Sequence, residues 1–103
     1  MNIHLHPEVE QFIKKLQPQT TAKVLRTIDL LERFGQSLSM PHSKPIGNGL
    51  HELRVRGHQE VRIPYAFAHD GSVLLCACVK KQNRLPANIL NTALKRKNEL
   101  DNI

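Results

Sequence analysis

The first third of the chain begins with a short alternating segment and continues with a helical repeat of apolar positions. Alternation over residues 2 to 6 predicts a strand. Pro7 and Pro18 each precede an apolar stripe, and Gly35 follows the second stripe. Because proline suits the first turn of a helix and glycine its end, we expect two helices, one ending by residue 17 and one over 18–34, paired as a helical hairpin. The stripes consist of Val9, Phe12, Ile13 and Leu16, and of Val24, Leu25, Ile28, Leu31 and Phe34.

The second half changes to the period of two that is typical of strands. Segments 50–56 and 60–67 alternate apolar and polar residues. Asp70-Gly71 is a hairpin signal, and it leads into the apolar run 73–79. This run is apolar on both faces, so we expect a strand that is covered on both sides. Pro86 then begins a final helix, whose stripe is Ile89, Leu90, Ala93, Leu94 and Leu100.

Two segments interrupt this regularity. Residues 36–49 contain two prolines and two glycines and are predicted to form a loop. Pro64 falls in the middle of a strand, where its missing N–H predicts a bulge or a local break. The pattern therefore predicts an α+β fold in a single domain, 1–103. Its elements are a short N-terminal strand, a helical hairpin, a three-stranded antiparallel meander and a C-terminal helix.

Composition adds one clue to partners and removes several classes of protein. Fifteen Lys and Arg against nine Asp and Glu leave a net charge of +6, which favours a polyanionic partner. The longest apolar run is too short to span a membrane, and no secretory signal begins the chain. We therefore expect a cytoplasmic protein with no membrane contact. Cys76 and Cys78 are predicted to be reduced core thiols, and the histidines do not predict a metal site.

The basic residues favour one face of the predicted sheet. Arg54 and Arg56 share the non-core face of one strand, and Arg62 has the same kind of face on the next. Further cations follow at the end of the third strand and beyond it. We expect six cations to line one concave surface that binds phosphate: Arg54, Arg56, Arg62, Lys80, Lys81 and Arg84.

The second half also resembles a known family. The segments LHELRVR (50–56), VRIPYAF (61–67) and VLLCACVKK (73–81), with the helix that begins at Pro86, resemble RelE/ParE-superfamily toxins in order and spacing. The closest branch is the phage-derived HigB-type toxins of type II toxin–antitoxin systems. The resemblance covers roughly residues 46–97. The matching positions are Glu52, Leu53, Arg54, Arg62, Tyr65, Lys80, Lys81, Pro86 and Ala93.

The resemblance implies a RelE-like fold and a ribosome-dependent endoribonuclease that cleaves mRNA by attack of the 2′-OH, without metal or cofactor. Arg54 and Arg62 would hold the phosphate as charge develops in the transition state. Lys80 or Lys81 would be the base, because neighbouring cations disfavour the protonated amine. Arg84 would assist the leaving group.

Three further residues are candidates for contact with RNA: Arg56, Lys44 and Tyr65. The position of Tyr65 places it with the core residues, so a packing role is a second interpretation. Cys76 and Cys78 stand where related sequences often carry a His and an aromatic residue.

The implied partners are the ribosome, its mRNA and a helix-turn-helix antitoxin, through which alone the protein would meet DNA. Two alternatives remain open. One is a ParE-like inhibitor that binds DNA gyrase, since such proteins share the fold. The other is an inactive relic or a plain RNA-binding module.

Overall fold

The computed structural model describes residues 1–68 and 70–101. The strands and helices follow one another in the predicted α+β order. The structure adds one strand, Ser43–Gly47, and divides one predicted strand in two, Gly71–Leu74 and Cys78–Val79. A short 3-10 turn follows the second helix at Gly35–Ser37. The elements are β1 (Asn2–Leu5), α1 (Pro7–Lys14), α2 (Pro18–Phe34), β2 (Ser43–Gly47), β3 (Leu50–Val55), β4 (Val61–Ala68), β5 (Gly71–Leu74), β6 (Cys78–Val79) and α3 (Ala87–Asp101).

The helical hairpin forms where the prolines and the glycine at its ends predict it. The side chain of His6 caps α1 by accepting a hydrogen bond from the backbone N–H of Glu8, and a proline begins each helix. Gly35 ends α2 with φ 54°, a left-handed conformation that suits glycine, and donates its N–H to the carbonyl of Leu31. None of the helices in the described part of the chain is long and apolar enough to cross a membrane.

The sheet has the strand order β1-β5-β4-β3-β2, with β6 also beside β4. Its centre is the predicted antiparallel meander. The loop predicted over residues 36–49 is wrong for 43–47, because these residues form β2, antiparallel to β3. Pro45 is tolerated in β2 because an edge strand does not need every N–H for pairing. On the opposite edge, β1 pairs with β5 in the parallel direction.

Pro64 produces the predicted break, but only on one side of its strand. Its pairing with Glu52 of β3 is regular. Toward the next strand, β4 pairs first with β5 and then with β6, and the register slips by one residue between them. The carbonyl of Pro64 accepts a hydrogen bond from Leu75 at 2.9 Å, so its missing N–H faces this same side. The predicted third strand is therefore two short strands.

The sheet buries an apolar cluster on each face. One cluster joins the helical hairpin to Leu53, Ile63 and Leu74. The other joins α3 to Leu50, Ala66 and Leu75 on the opposite face. The prediction that the run 73–79 is covered on both sides is confirmed for 73–77, whereas Cys78 and Val79 are only half-buried. On its own face, α3 lies over only part of the sheet, and charged residues occupy the remainder.

Arg96 of α3 closes the gap that the divided strand leaves. It donates a hydrogen bond to the carbonyl of Leu75 at 2.7 Å, where that strand is interrupted. Arg96 also forms an ion pair with Glu8 of α1 at 2.6 Å. This bond and the charge of Arg96 hold the pKa of the Glu8 carboxyl below its usual range. One arginine therefore links the helices on the two faces.

We predict that Arg96→Met lowers the free energy of unfolding by about 1.5–3 kcal/mol, because the carbonyl of Leu75 loses a charged donor. Urea denaturation measures the change. The control is Lys95→Met, an exposed neighbour on the same helix that should change stability by less than about 0.5 kcal/mol. Equal effects of the two variants would contradict a role for Arg96 in closing the gap.

Candidate functional site

Arg54 of β3 and Arg62 of β4 are directly paired, on the same sheet face as α3 but in the part that α3 leaves uncovered. Glu52 lies between them. Its Oε1 is 3.5 Å from Nε of Arg54 and 3.6 Å from Nε of Arg62. All three are buried, with exposures of 3% for Glu52, 9% for Arg54 and 1% for Arg62. We call these three residues the arginine–glutamate cluster.

The cluster has further partners that hold Arg62 in place. Its Nη2 pairs with Glu60 at 3.3 Å, and its Nη1 donates to the carbonyl of Val61 at 3.2 Å. Burial lowers the pKa of the Arg62 guanidinium, and the charge of Arg54 acts in the same direction while Glu52 and Glu60 oppose it. Arg62 is therefore buried, while the Glu60 side chain that pairs with its Nη2 is half exposed.

The expected single concave surface of six cations is wrong, because five of them fall into three groups and the sixth, Arg56, lies just past the end of β3 in a cleft against α2. Arg62 belongs to the arginine–glutamate cluster with Arg54. Lys80 lies beside that cluster at the end of β6. Lys81 and Arg84 line a separate groove of about 250 Å³. The alternation of residues along a strand predicts the sheet face on which each side chain lies, but not whether a neighbouring side chain covers it.

Lys80 continues the face of the cluster. Its backbone N–H donates to the carbonyl of Glu60 at 2.7 Å, and Cys78, two residues earlier, pairs directly with Arg62. Burial raises the pKa of the Cys78 thiol, and the negative charge of Glu52 raises it further. The positive charges of Arg62 and Lys80 lower it. The charge of Lys80 therefore acts on Cys78, the strand partner of Arg62.

Arg54 also lines a cleft between α2 and the end of β3. The cleft is about 240 Å³ in volume, and His42 and Pro41 contribute to its wall. Its cations come from two elements: Lys23 and Arg26 from α2, and Arg54 and Arg56 from the end of β3. We call this feature the cationic cleft.

Sequence reasoning missed Lys23 and Arg26. Both lie on the polar side of an amphipathic helix, where a charged side chain usually contacts only solvent and has no binding role. Their spacing of three residues places both on one helix face, which was the available signal. Nothing in the sequence relates that face to the end of β3.

Lys44 and Tyr65 have different surroundings. Lys44 is exposed on β2 and pairs directly with Glu52, on the face of the cluster. Tyr65 is 1% exposed, and its hydroxyl is hydrogen-bonded to that of Ser43 at 2.5 Å. Burial raises the pKa of Tyr65. The structure thus places Tyr65 in the core, where the packing interpretation applies and direct contact with RNA does not.

The cysteines are free, Cys76 buried and Cys78 half-buried. Burial raises the pKa of the Cys76 thiol to about 11, so it stays protonated at neutral pH. Within the described ranges, no group of three or more His, Cys, Asp and Glu side chains is arranged to hold a metal ion.

The structure is thus a small α+β domain with a buried arginine–glutamate cluster and an adjacent cationic cleft. The profile of one family, described as "Phage derived protein Gp49-like (DUF891)", matches residues 11–98. The chain therefore belongs to the Gp49-like family, which stands in the context of RelE-type toxin–antitoxin systems. No curated protein sequence matches the chain at a significant level.

We predict that Glu52→Gln destabilises the fold by about 3–5 kcal/mol, because it leaves two buried guanidinium groups without their shared counter-charge. The denaturation midpoint reports the change. Glu99→Gln, on the exposed side of α3, is the control and should shift stability by less than about 0.5 kcal/mol. A Glu52→Gln protein as stable as this control would show that the cluster does not depend on its carboxylate.

Proposed function

We propose that this chain is the toxin of a type II toxin–antitoxin system and a ribosome-dependent endoribonuclease that cleaves mRNA. The observation that carries the proposal is the pairing of Arg54 and Arg62 around Glu52, with Lys80 on the same face. Membership in the Gp49-like family supports the toxin assignment. The ordered motifs of the second half support a relationship to the HigB-type branch.

The proposed reaction needs only groups that the chain carries. The ribose 2′-oxygen attacks the adjacent phosphorus, and the bond from phosphorus to the 5′-oxygen breaks. The products are a 2′,3′-cyclic phosphate and a 5′-hydroxyl. A base takes the proton of the 2′-OH, an acid supplies a proton to the leaving 5′-oxygen, and cations stabilise the charge on the non-bridging oxygens.

The surroundings of each residue suit a different part of this reaction. We assign the base to Lys80, since it follows β6 beside the cluster. Arg54 also lines the cationic cleft, so it can contact phosphate directly. To Lys81 and Arg84, which line the separate groove, we assign assistance to the leaving oxygen.

Arg62 requires a change of partner to contact phosphate. It is 1% exposed, and its Nη2 is occupied by Glu60. Glu60 is about half exposed and can turn into solvent when a phosphate oxygen replaces its carboxylate. Until then, Arg62 acts through its charge and through the position it imposes on Glu52 and Arg54.

The proposed partners follow from the toxin assignment. A helix-turn-helix antitoxin would neutralise the protein and supply the contact with DNA. The ribosome would present the mRNA. The net charge of +6 suits both an RNA target and an acidic segment of an antitoxin.

We predict that induction of the chain without antitoxin stops growth and produces new mRNA 5′ ends within translated codons. Lys80→Met should lower the rate at which these ends appear by about 10²–10⁴-fold, the usual contribution of a general base. Sequencing of 5′ ends after induction measures the rate. Lys95→Met, which removes the same charge from an exposed site on α3, should cleave like the unaltered protein.

Other outcomes identify the alternatives. Growth arrest with intact mRNA and a DNA-damage response would overturn the RNase proposal and favour a gyrase inhibitor. Absence of arrest, with the folded protein present, would favour an inactive relic or RNA-binding module. Full cleavage by Lys80→Met would exclude Lys80 as the base.

A further inference from the structure

We infer that the cationic cleft is an RNA-binding subsite that holds a nucleotide next to the cleaved one, with Lys23 and Arg26 of α2 contacting its phosphate. The inference rests on the proposed function for the identity of the strand. It adds a second element, α2, to the residues that contact RNA.

Charge is the first argument. Lys23, Arg26 and Arg56 are exposed at the cleft, and Arg54 forms part of its buried wall. Among the described residues, those that line the cleft include no Asp or Glu. Glu52 lies 3.5 Å from Arg54 but does not line the cleft. The charges of Lys23, Arg26 and Arg56 therefore create a positive potential there that a bound anion would offset.

The second argument is a buried polar group at the cleft. Arg54 is 9% exposed, and among residues 1–68 and 70–101 its Nε has no hydrogen-bond partner of good geometry, although Glu52 is 3.5 Å away. Its Nη1 donates to the sulfur of Met40 at 3.2 Å, a weak acceptor. A guanidinium buried to this degree usually has oxygen acceptors, which a phosphate supplies in the bidentate geometry that arginine favours.

The third argument is size and lining. A volume of about 240 Å³ suits a group the size of a nucleotide phosphate with its ribose. Leu30, Pro41 and Val55 provide an apolar wall against which a sugar can pack.

Continuity with the proposed catalytic face is the fourth argument. Arg54 belongs to both the arginine–glutamate cluster and the cleft, and the charge of Arg56 acts on Arg62. A strand whose cleaved phosphate lies at the cluster would therefore place a neighbouring phosphate at the cleft. The two phosphate positions would fix the direction in which the strand crosses the sheet.

The test measures binding of a fluorescent, single-stranded 2′-O-methyl RNA, which lacks the attacking hydroxyl and cannot be cleaved by the proposed reaction. Lys23→Gln combined with Arg26→Gln should lower the affinity about 25-fold at about 0.1 M salt. The slope of log affinity against log salt should fall by about 1.4, at 0.7 for each phosphate contact on a single strand. The control is Arg33→Gln combined with Lys95→Gln, an equal loss of charge at exposed sites on α2 and α3.

Each outcome decides the inference. Weaker binding and a smaller slope in the cleft variant alone support it. Equal behaviour of the cleft and control variants would overturn it and leave only the net charge. Displacement of the RNA by polyglutamate at equal charge concentration would also overturn it, and would assign the cleft to an acidic protein.

The binding measurement is independent of cleavage. If the cleft variant loses RNA binding but the unaltered chain cuts no mRNA in cells, the subsite stands and the RNase proposal fails. If mRNA is cut and the cleft variant binds RNA normally, the RNase proposal stands and the subsite fails.

Discussion

The burial of one carboxylate between two guanidinium groups is the constraint on which the basic face depends. Glu52 is 3% exposed and within 3.6 Å of both Arg54 and Arg62. Without it, two like charges would be buried side by side on adjacent strands, at a cost that the small core could not offset. The register of β3 against β4 is therefore tied to the charge arrangement as well as to apolar packing.

The rest of the structure leaves that face available. The helical hairpin covers the opposite face of the sheet, and α3 covers only the part that contains Leu75 and Ala66. The break beside Pro64 divides the third strand, and β6 then brings Cys78 and Lys80 alongside Arg62. The fold thus places Arg54 and Arg62 on adjacent strands of one sheet face, with Lys80 following β6 beside them.

The sequence predicted the helices, the meander and the shared face of Arg54 and Arg62, because apolar periodicity and the positions of proline and glycine are local signals. It did not predict β2, since proline and glycine resemble loop punctuation and an edge strand tolerates both. It also did not predict the burial of Arg62 or the contact of α2 with the end of β3. The burial of a side chain and the contacts between distant elements depend on how the elements pack. The alternation of residues along a strand contains no information about that packing. Glu52 is part of the motif that resembles RelE/ParE-superfamily toxins. Its role as counter-charge to Arg54 and Arg62 follows only from its distances to them in the structure.

If RNA phosphates bind at the end of the sheet occupied by Arg54 and Arg56, an NMR titration of the arginine Nε–H resonances with uncleavable 2′-O-methyl RNA will detect them directly. We expect the largest changes at Arg54, Arg56 and Arg26, with Arg33 and Arg96 unchanged. Changes confined to Arg33 and Arg96 when RNA is bound would contradict this expectation.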